Sequence, residues 1–356
     1  MIYLDANASE PMLPAARAAM QVAMDCTGNP SSVHAAGRAA RRLLEDARDS
    51  VARRFGLSPA NVVFTSGGTE ACALAVHGLG RGRRLIIGAT EHDAVRAQAI
   101  GQNEIIPVDR DGVADLAALE RLLQGEPALV CLMLANNETG TIQPIAEAAR
   151  LCRTAGAWLH VDAAQAAGRM TVDMVALGAQ SVAVSGHKMG GAPGAGALLL
   201  DPSIPDACMI RGGGQERGRR SGTPALATIA ALGAAAREPP ADLHALRDEL
   251  EQEAVGSIVI ASRASRLGNT ACLALSGVSA QLQVMTLDLA GIAVSAGAAC
   301  SSGRTARSHV LEAMGLGTLA GEAIRVSLPW NTTGSDVAAF GIAWRAMASR
   351  LCRSAA

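Results

Sequence analysis

The sequence has few aromatic side chains and almost no net charge. Only one tyrosine, three phenylalanines and three tryptophans occur in 356 residues, and 31 basic side chains stand against 32 acidic ones, for a net charge of -1. Single-strand nucleic-acid binding needs aromatic stacking platforms and basic grooves, and anionic membrane surfaces attract basic proteins. The composition therefore argues against direct nucleic-acid binding and against a membrane-surface role.

The chain also lacks a secretion signal, a membrane-spanning run and a metal-binding cysteine pair. Its first ten residues contain no basic start followed by an apolar stretch, so we expect a cytoplasmic protein. The longest uncharged run, residues 267–287, contains polar side chains that lipid would leave unsatisfied. None of the eight cysteines forms a C-x-x-C pair, which argues against a zinc ribbon and for reduced thiols.

Lysine is the scarcest charged residue, because Lys188 is the only one beside 30 arginines. A GC-rich genome explains a preference for arginine, but it does not explain the single exception. Arginine stays protonated in proteins, whereas a desolvated lysine amine loses its proton and attacks carbonyl groups. Lys188 is therefore a candidate for amine chemistry.

Short apolar runs alternate with helical patterns over the first two thirds of the chain. Seven of these runs read as strands without polar alternation, which is typical of a mostly parallel sheet buried on both faces. They are residues 62–64, 85–87, 105–106, 129–134, 158–161, 182–184 and 197–200. Helical patterns lie between them, for example over residues 115–123 and 145–155. The pattern predicts an α/β fold.

A double proline at residues 239 and 240 predicts the end of a helix and a boundary between two domains. We expect a large domain over residues 11–238 and a small domain formed by residues 1–10 and 239–356. The small domain is expected to be α+β. Its predicted elements are helices over 242–254 and 335–351 and strands near 258–260, 271–275 and 324–328.

Polar residues follow three of the predicted strands, where an open parallel sheet binds its ligands. Residues 65–70 (TSGGTE) follow the first strand and precede a helix, whose N-terminus suits a phosphate. Asp162 follows the strand at 158–161, and Lys188 follows the strand at 182–184. A lysine that forms a Schiff base and an aspartate that pairs with a pyridinium nitrogen are what proteins contribute to pyridoxal phosphate chemistry.

Each of these motifs also has a structural interpretation. Residues 65–70 can be a turn followed by a helix cap, and Asp162 can cap the turn that follows its strand. A metal hydrolase built on His160, Asp162 and His187 is a further alternative. It is weaker, because His160 and Asp162 would share one face of a strand, but no further residue, His187 included, has a spacing that suits a third ligand.

Ten motifs spread along nearly the whole chain resemble those of one enzyme family. They are residues 3–7 (YLDAN), 28–34 (GNPSSVH), 66–70 (SGGTE), 91–92 (EH), 136–140 (NNETG), 161–165 (VDAAQ), 185–188 (SGHK), 212–223 (GGGQERGRRSGT), 297–302 (GAACSS) and 323–325 (AIR). On these motifs, the sequence resembles the cysteine desulfurases of the NifS/IscS-like group, fold-type I pyridoxal-phosphate enzymes related to class V aminotransferases. The resemblance implies a large domain with a mostly parallel seven-stranded sheet and a smaller α+β domain.

The resemblance also implies how individual residues hold the cofactor ring. Lys188 would bind pyridoxal 5'-phosphate covalently and would then act as the base that removes the Cα proton. Asp162 would pair with the pyridine nitrogen, and Gln165 would hydrogen-bond the ring hydroxyl. His92 would stack on the ring.

For the phosphate and the substrate, the resemblance implies a site shared between two subunits. The phosphate would be held by Gly68, Thr69, Ser185 and His187. Thr223 would reach the same phosphate from a second copy of the chain, which implies a homodimer. Asn137 and Arg325 would hold the carboxylate of the substrate, since the planar guanidinium binds carboxylates through two parallel hydrogen bonds.

Cys300 needs separate weighing, because an intracellular cysteine is usually an inert buried thiol. Its neighbours are small residues, and Arg304 and Arg307 follow it, a setting that favours an exposed thiolate. The resemblance implies that Cys300 takes the sulfur of L-cysteine as a persulfide and leaves L-alanine. The persulfide would pass to an acceptor protein, such as an iron–sulfur scaffold or a sulfur carrier.

Alternative functions stay open at this point. A selenocysteine lyase or another pyridoxal-phosphate-dependent cysteine lyase would need Lys188 and Asp162 but not Cys300. From a different class, the chain would be a non-catalytic partner that keeps only the fold. The presence of Lys188, Asp162, His92, Cys300 and Arg325 together argues against that last interpretation, because an unused site has no physical need for all five.

Overall fold

The structure is a computed structural model that describes residues 1–99, 103–204, 207–297 and 307–353. Its α-helices are α1 (Pro14–Met24), α2 (Ala35–Arg54), α3 (Gly68–Leu79), α4 (Asp93–Arg96), α5 (Leu116–Leu122), α6 (Ile145–Thr154), α7 (Met174–Leu177), α8 (Leu226–Ala235), α9 (His244–Glu253), α10 (Ala280–Leu289), α11 (His309–Ala313) and α12 (Gly334–Arg353). Its strands are β1 (Ile2–Tyr3), β2 (Val62–Thr65), β3 (Arg84–Gly88), β4 (Glu104–Ile106), β5 (Ala128–Cys131), β6 (Trp158–Asp162), β7 (Ser181–Ser185), β8 (Gly196–Leu200), β9 (Ile258–Val259), β10 (Thr270–Ala274), β11 (Ile292–Ala293), β12 (Ser295–Ala296) and β13 (Ala323–Ser327).

A seven-stranded sheet in the order β2-β8-β7-β6-β5-β3-β4 forms the centre of the larger part of the molecule. Strands β4, β3, β5, β6 and β7 pair in parallel. Strand β8 is antiparallel to both of its neighbours, β2 and β7. The expectation of a mostly parallel seven-stranded sheet is therefore confirmed, with β8 as the strand that runs in the opposite direction.

Helices cover both faces of this sheet, which explains why its strands are continuous apolar runs. Leu129 and Cys131 of β5 pack with α3 on one face, whereas Val130 packs with helices α2, α6 and α8 on the other. Because every residue of β5 and β7 is buried, polar alternation would place polar groups in a core. The three layers hold the carboxyl ends of β6 and β7 side by side, and this edge positions the site described below.

A second, smaller sheet and its helices form a separate hydrophobic core. Strands β12, β13, β10 and β9 pair antiparallel in that order, and β1 pairs in parallel with β11. The core packs Leu4 against residues between 243 and 347, including the fully buried Phe340 and Trp344 of α12. The larger core is formed by residues between 16 and 236, together with Leu267.

The structure corrects three details of the elements predicted from sequence. The run at 129–134 was expected to be one strand, but β5 ends at Cys131, although Leu132 N and Leu134 N still donate hydrogen bonds to the backbone oxygens of β6. The strand near 258–260 is limited to Ile258–Val259. Strands β1, β11 and β12 were not predicted, since two residues are too few to show a period.

The described part of the chain bears on two expectations, one about membrane-spanning segments and one about the cysteines. Among the helices of the described ranges, none has the length and the apolar character that a membrane span requires. Six cysteines at positions 26, 72, 131, 152, 208 and 272 are free thiols.

Candidate active site

A cavity of about 520 Å³ lies at the carboxyl ends of β6 and β7 and collects most of the predicted site residues. Ten of them line it: Gly68, Thr69, His92, Asn137, Asp162, Gln165, Ser185, His187, Lys188 and Arg325. Thr223 does not line it and lies in a neighbouring cavity of about 90 Å³. Cys300 lies outside the described residues, although Gly297 lines the cavity.

One end of the cavity is the N-terminus of α3. Helix α3 begins at Gly68, and within the described chain no side chain caps its first N–H groups. Glu70, in its first turn, also lines the cavity, but its carboxylate is engaged by other groups: it accepts a hydrogen bond from Ser66 N at 2.8 Å and pairs with Arg220 at 2.7 Å. Uncapped N–H groups and the positive end of the helix dipole form a binding site for an anion such as phosphate.

Small residues bring this helix end close to β7. A Cβ atom on Gly68 would lie 3.2 Å from the Cβ of Ser185, the last residue of β7. A Cβ on Gly196 would lie 2.6 Å from the backbone of Gly67. Glycine at these positions therefore keeps backbone N–H groups and the Ser185 hydroxyl at one end of the cavity, as a phosphate cradle requires.

Asp162 and Lys188 come from neighbouring elements at the same edge of the sheet. Asp162 is the last residue of β6, and Lys188 ends the 3₁₀ turn that follows β7. The Asp162 Oδ1 accepts a hydrogen bond from Ala164 N at 2.8 Å, which fixes the carboxylate. The buried Cys72 thiol also hydrogen-bonds Asp162, and burial followed by the Asp162 charge raises the pKa of that thiol well above its usual value. Cys72 is therefore a neutral donor to the carboxylate.

Both histidines that line the cavity are held neutral by their surroundings. The Nδ1 of His92 accepts a hydrogen bond from Ala94 N at 3.0 Å and so caps α4. Burial lowers the pKa of His92, and the positive charge of Lys188 lowers it further, while Asp162 acts in the opposite direction. Burial, then Lys188 and Arg169, lower the pKa of His187. A neutral imidazole suits a role of stacking or hydrogen bonding rather than of charge pairing.

Gln165 is oriented by two neighbours that the sequence analysis did not assign. Its Nε2 donates to the backbone oxygen of Asn7 at 3.0 Å, and its Oε1 accepts from Arg169 Nη1 at 3.0 Å. Arg169 is in turn paired with Glu10 at 3.3 Å, and burial lowers its pKa to about 10. The second Nε2 hydrogen of Gln165 leaves this amide able to donate one further hydrogen bond.

The cavity is also lined by Arg325, a residue of β13, and this part of the cavity is called the Arg325 end. Its Nη2 pairs with Asp5 Oδ1 at 2.7 Å, and its Nη1 donates to the backbone oxygen of Asn137 at 3.1 Å. The Nε of Arg325 is buried and has no hydrogen-bond partner among the described residues. These contacts fix a buried guanidinium and use two of its five N–H donors, so the Nε hydrogen and one hydrogen on each Nη atom are left for a carboxylate.

Sequence reasoning missed several residues that build this end of the cavity. Asn7 lines the cavity, and its Nδ2 donates to Asn137 O at 3.1 Å and to Thr270 Oγ1 at 3.0 Å. Asp5 holds Arg325 from the same N-terminal segment. The motif at residues 3–7 was recognised as part of the family pattern, so the signal was present without an assigned role.

The metal-hydrolase alternative finds no matching arrangement in the described part of the chain. No group of three or more His, Cys, Asp or Glu side chains there could hold a metal ion. His160 is fully buried, hydrogen-bonds Ser181 Oγ at 2.8 Å and does not line the cavity. Burial lowers its pKa to about 4, as is typical of a neutral core histidine.

The cavity thus combines an anion site, a lysine amine beside an aspartate, and a buried arginine. This arrangement can hold a phosphate near the N-terminus of α3 and a carboxylate near Arg325, and Lys188 lines the same cavity. A lysine placed in this way can form a covalent bond to a carbonyl and can move a proton.

Comparison with known proteins agrees with this chemistry. Residues 2–340 match the model of the aminotransferase class-V family. An IscS-like cysteine desulfurase from Mycobacterium tuberculosis is 38% identical over 95% of this chain and 93% of its own length. A NifS-like protein from Rickettsia africae has a structure that matches with a TM-score of 0.90 and 32% identity, over 98% of this chain and 99% of that one.

A third match is a structure described as SspA in complex with cysteine, with a TM-score of 0.83 and 26% identity over 94% of this chain and 100% of that one. The family resemblance and the fold expected from sequence are confirmed by these matches. The chain belongs to the aminotransferase class-V family and, within it, to the NifS/IscS-like cysteine desulfurases.

Proposed function

We propose that this protein converts L-cysteine to L-alanine with pyridoxal 5'-phosphate and transfers the sulfur, as a persulfide on Cys300, to an acceptor protein. The observation that carries the proposal is a single cavity lined by Lys188, the only lysine of the sequence, by Asp162 and Arg325, and by the first residues of α3. The names of the matched relatives and the matched structure with cysteine support the same substrate.

The residues present fit this cofactor. Gly68, Thr69, Ser185 and His187 would hold the phosphate, since they surround the uncapped N–H groups of α3. Asp162 would accept a hydrogen bond from the protonated ring nitrogen, Gln165 would donate its remaining amide hydrogen to the ring hydroxyl, and His92 would stack on the ring. When bound, pyridoxal phosphate supplies a carbonyl that condenses with amines and a ring that accepts the electron pair left at the substrate Cα.

Lys188 and Arg325 then have separate tasks toward the substrate. Arg325, with Asn137, binds the carboxylate of L-cysteine and so fixes the direction of the Cα–H bond. The Lys188 amine takes the Cα proton and later returns a proton to the product. Asp162 keeps the ring nitrogen protonated, because its carboxylate is fixed by Ala164 N and by the Cys72 thiol.

The sulfur step balances without an external oxidant. The Cys300 thiolate attacks the sulfur of the substrate, an S–S bond forms, and the Cβ–S bond breaks. The transferred sulfur is oxidised to the level of a persulfide, while the carbon skeleton is reduced to that of alanine after it takes up a proton. The persulfide is then transferred to an acceptor protein, such as an iron–sulfur scaffold or a sulfur carrier, in the cytoplasm.

A second copy of the chain completes the site in this proposal. Thr223 lies outside the cavity of its own chain and, like Gly222 before it, is exposed. In a homodimer, Thr223 would reach the phosphate of the neighbouring subunit. We also propose that residues 11–238 form the cofactor-binding domain and that residues 1–10 and 239–356 form the smaller domain, in agreement with the two hydrophobic cores.

Replacement of Cys300 tests the persulfide step. The Cys300→Ala enzyme should keep the visible absorbance of the cofactor and its change on adding L-cysteine, but it should form no alanine above background. Cys26→Ala, which removes a half-buried thiol in another part of the chain, is the matched control and should form alanine at the wild-type rate. Undiminished alanine formation by Cys300→Ala would contradict persulfide chemistry and favour a lyase that needs no thiol.

A further inference from the structure

Glu138 is a buried carboxyl that the mechanism above does not use. Only 2% of its surface is exposed. Its position is fixed by the turn at residues 136–140, in which Asn136 Oδ1 accepts from Glu138 N at 2.8 Å and Asn136 O accepts from Gly140 N at 3.0 Å. A buried carboxyl is costly in free energy, so its retention calls for a reason.

The Glu138 carboxyl contacts both flanks of the segment that contains Cys300. Ser308 Oγ donates a hydrogen bond to Glu138 Oε2 at 2.6 Å. Because Leu311 N donates to the same hydroxyl oxygen at 3.0 Å, the hydroxyl hydrogen is directed to the carboxyl. The same Oε2 would lie 2.5 Å from a Cβ on Gly297, so only glycine allows the carboxyl to approach this closely.

These flanks are also tied to the arginine that would bind the substrate. The backbone oxygen of Asn137, next to Glu138, accepts a hydrogen bond from Arg325 at 3.1 Å. Strand β12, which ends just before Gly297, pairs with β13 so that Ser295 lies opposite Arg325. Ser295 Oγ donates to Asp5 Oδ2 at 2.9 Å, and Asp5 Oδ1 pairs with Arg325.

We propose that Glu138 is a positioning residue for sulfur transfer. Its carboxyl keeps Gly297 and Ser308, the described residues on either side of the stretch that contains Cys300, at fixed positions relative to Arg325. The inference rests on the proposed function, because it assigns the sulfur-accepting role to Cys300. It differs from that function in assigning a task to a residue that touches neither the cofactor nor the substrate.

The ionisation of Glu138 makes its hydrogen bond with Ser308 depend on pH. Burial raises the pKa of Glu138 to about 7, while the hydrogen bond from Ser308 and the charge of Arg325 act to lower it. Among the residues that the structure describes, Cys272 also faces the carboxyl; it is a buried thiol on β10 opposite Arg325, and burial raises its own pKa. An ionised carboxylate accepts a stronger hydrogen bond than a neutral carboxyl, so the individual hydrogen bond from Ser308 is strongest above pH 7, even though ionisation of the buried carboxyl lowers the stability of the fold as a whole.

The first test compares Glu138→Gln with wild type in the holoenzyme. We expect kcat for alanine formation to fall about 10- to 100-fold at pH 8, because a small misplacement of reacting groups has an effect of this size. KM and the change in cofactor absorbance on adding L-cysteine should stay at wild-type values. The ratio of wild-type to Glu138→Gln activity should rise between pH 6 and pH 8. Ionisations that affect both enzymes equally do not change this ratio, so its change with pH reports on Glu138.

Two further variants separate positioning from simple loss of stability. Ser308→Ala removes the hydrogen bond to the carboxyl and should lower kcat in the same direction, with the same unchanged KM. Glu251→Gln alters a half-buried glutamate, which pairs with Arg266 at 2.5 Å and does not line the cavity, and should leave kcat unchanged. An activity ratio that stays flat with pH, or an equal loss in Glu251→Gln, would overturn the proposal.

A readout without catalysis separates this inference from the proposed function. Alkylation by iodoacetamide, followed by mass spectrometry, measures the reactivity of Cys300 in the holoenzyme without substrate, with Cys26 as the internal reference. Glu138→Ala should raise the rate at Cys300 about threefold or more and leave Cys26 unchanged, because release of the flanks changes access to the thiol. If wild type forms no alanine, the proposed function fails, and this measurement still decides the role of Glu138: equal Cys300 rates in both proteins would refute it.

Discussion

The two ends of the cavity are built in different ways. At the cofactor end, where we propose that pyridoxal phosphate binds, Asp162 and Ser185 are the last residues of adjacent parallel strands, and Lys188 lies three residues after Ser185. At the substrate end, where we propose that Arg325 binds the carboxylate, the important contacts join residues far apart in sequence: Asp5 with Arg325, and Glu138 with Ser308. The first end depends on a rigid sheet, whereas the second depends on a network of buried polar contacts.

This difference predicts how each end responds to substitution. Backbone groups and small residues form the phosphate end, so added volume should harm it more than a change of charge. Charged side chains form the Arg325 end, so loss of one partner leaves another buried charge uncompensated, which is strongly destabilising. The predictions below begin with the largest expected effect.

Arg325→Lys tests the substrate end while it keeps the positive charge. We expect KM for L-cysteine to rise about 10- to 100-fold, because lysine lacks the planar fork and loses a charge-assisted hydrogen bond. Steady-state kinetics of alanine formation measure this effect. The matched control is Arg266→Lys, a buried arginine paired with Glu251 outside the cavity, whose KM should match wild type. An unchanged KM in Arg325→Lys would show that the carboxylate binds elsewhere.

Gly68→Ala tests the phosphate end by adding volume without charge. The new methyl group would lie 3.2 Å from the Cβ of Ser185 and would narrow the space in front of the α3 N–H groups. We expect the Kd for pyridoxal phosphate, measured by titration of the cofactor-free protein, to rise about tenfold. Gly334, the first residue of α12, has open space around it, so Gly334→Ala is the control and should bind normally. If Gly68→Ala binds pyridoxal phosphate with the wild-type Kd, the N-terminus of α3 does not form the phosphate site.

The pH dependence of stability tests the buried carboxyl of the substrate end. Since burial raises the pKa of Glu138 to about 7, the folded protein holds this proton more tightly than the unfolded chain does. The resulting stabilisation is complete below the ordinary glutamate pKa of about 4.3 and is lost as pH rises through about 7. The Tm of wild type minus that of Glu138→Gln, from thermal denaturation, should therefore fall between pH 5 and pH 8. A constant difference would mean that Glu138 does not titrate in this range.

The cofactor end was predictable from sequence, because each of its motifs directly follows an apolar run. The runs before Thr65, Asp162 and Ser185 are the strands β2, β6 and β7, and parallel strands bring such ends to one edge. The seven-stranded sheet followed from the same runs. The reversed direction of β8 did not, because a run of buried apolar residues carries no information about direction.

The substrate end could be predicted only in part. Arg325 and Asn137 were assigned through the family resemblance, but their partners were not. The Asp5–Arg325 pair spans 320 residues, and no local period or spacing reports a contact across such a separation. Glu138 was part of a recognised motif, yet only the fold shows that it contacts Gly297 and Ser308. Burial changes the chemistry of this carboxyl, and burial was not visible in its sequence neighbours.

The visible absorption spectrum of the purified protein, supplied with pyridoxal phosphate, tests the central claim most directly. The spectrum is recorded before and after addition of L-cysteine, beside a Lys188→Arg variant that keeps the charge but has no amine able to attack a carbonyl. We predict a visible band that changes with L-cysteine in wild type and is altered or missing in the variant. A wild-type protein that stays colourless with the cofactor, or a variant with the same band and the same response, would contradict the account.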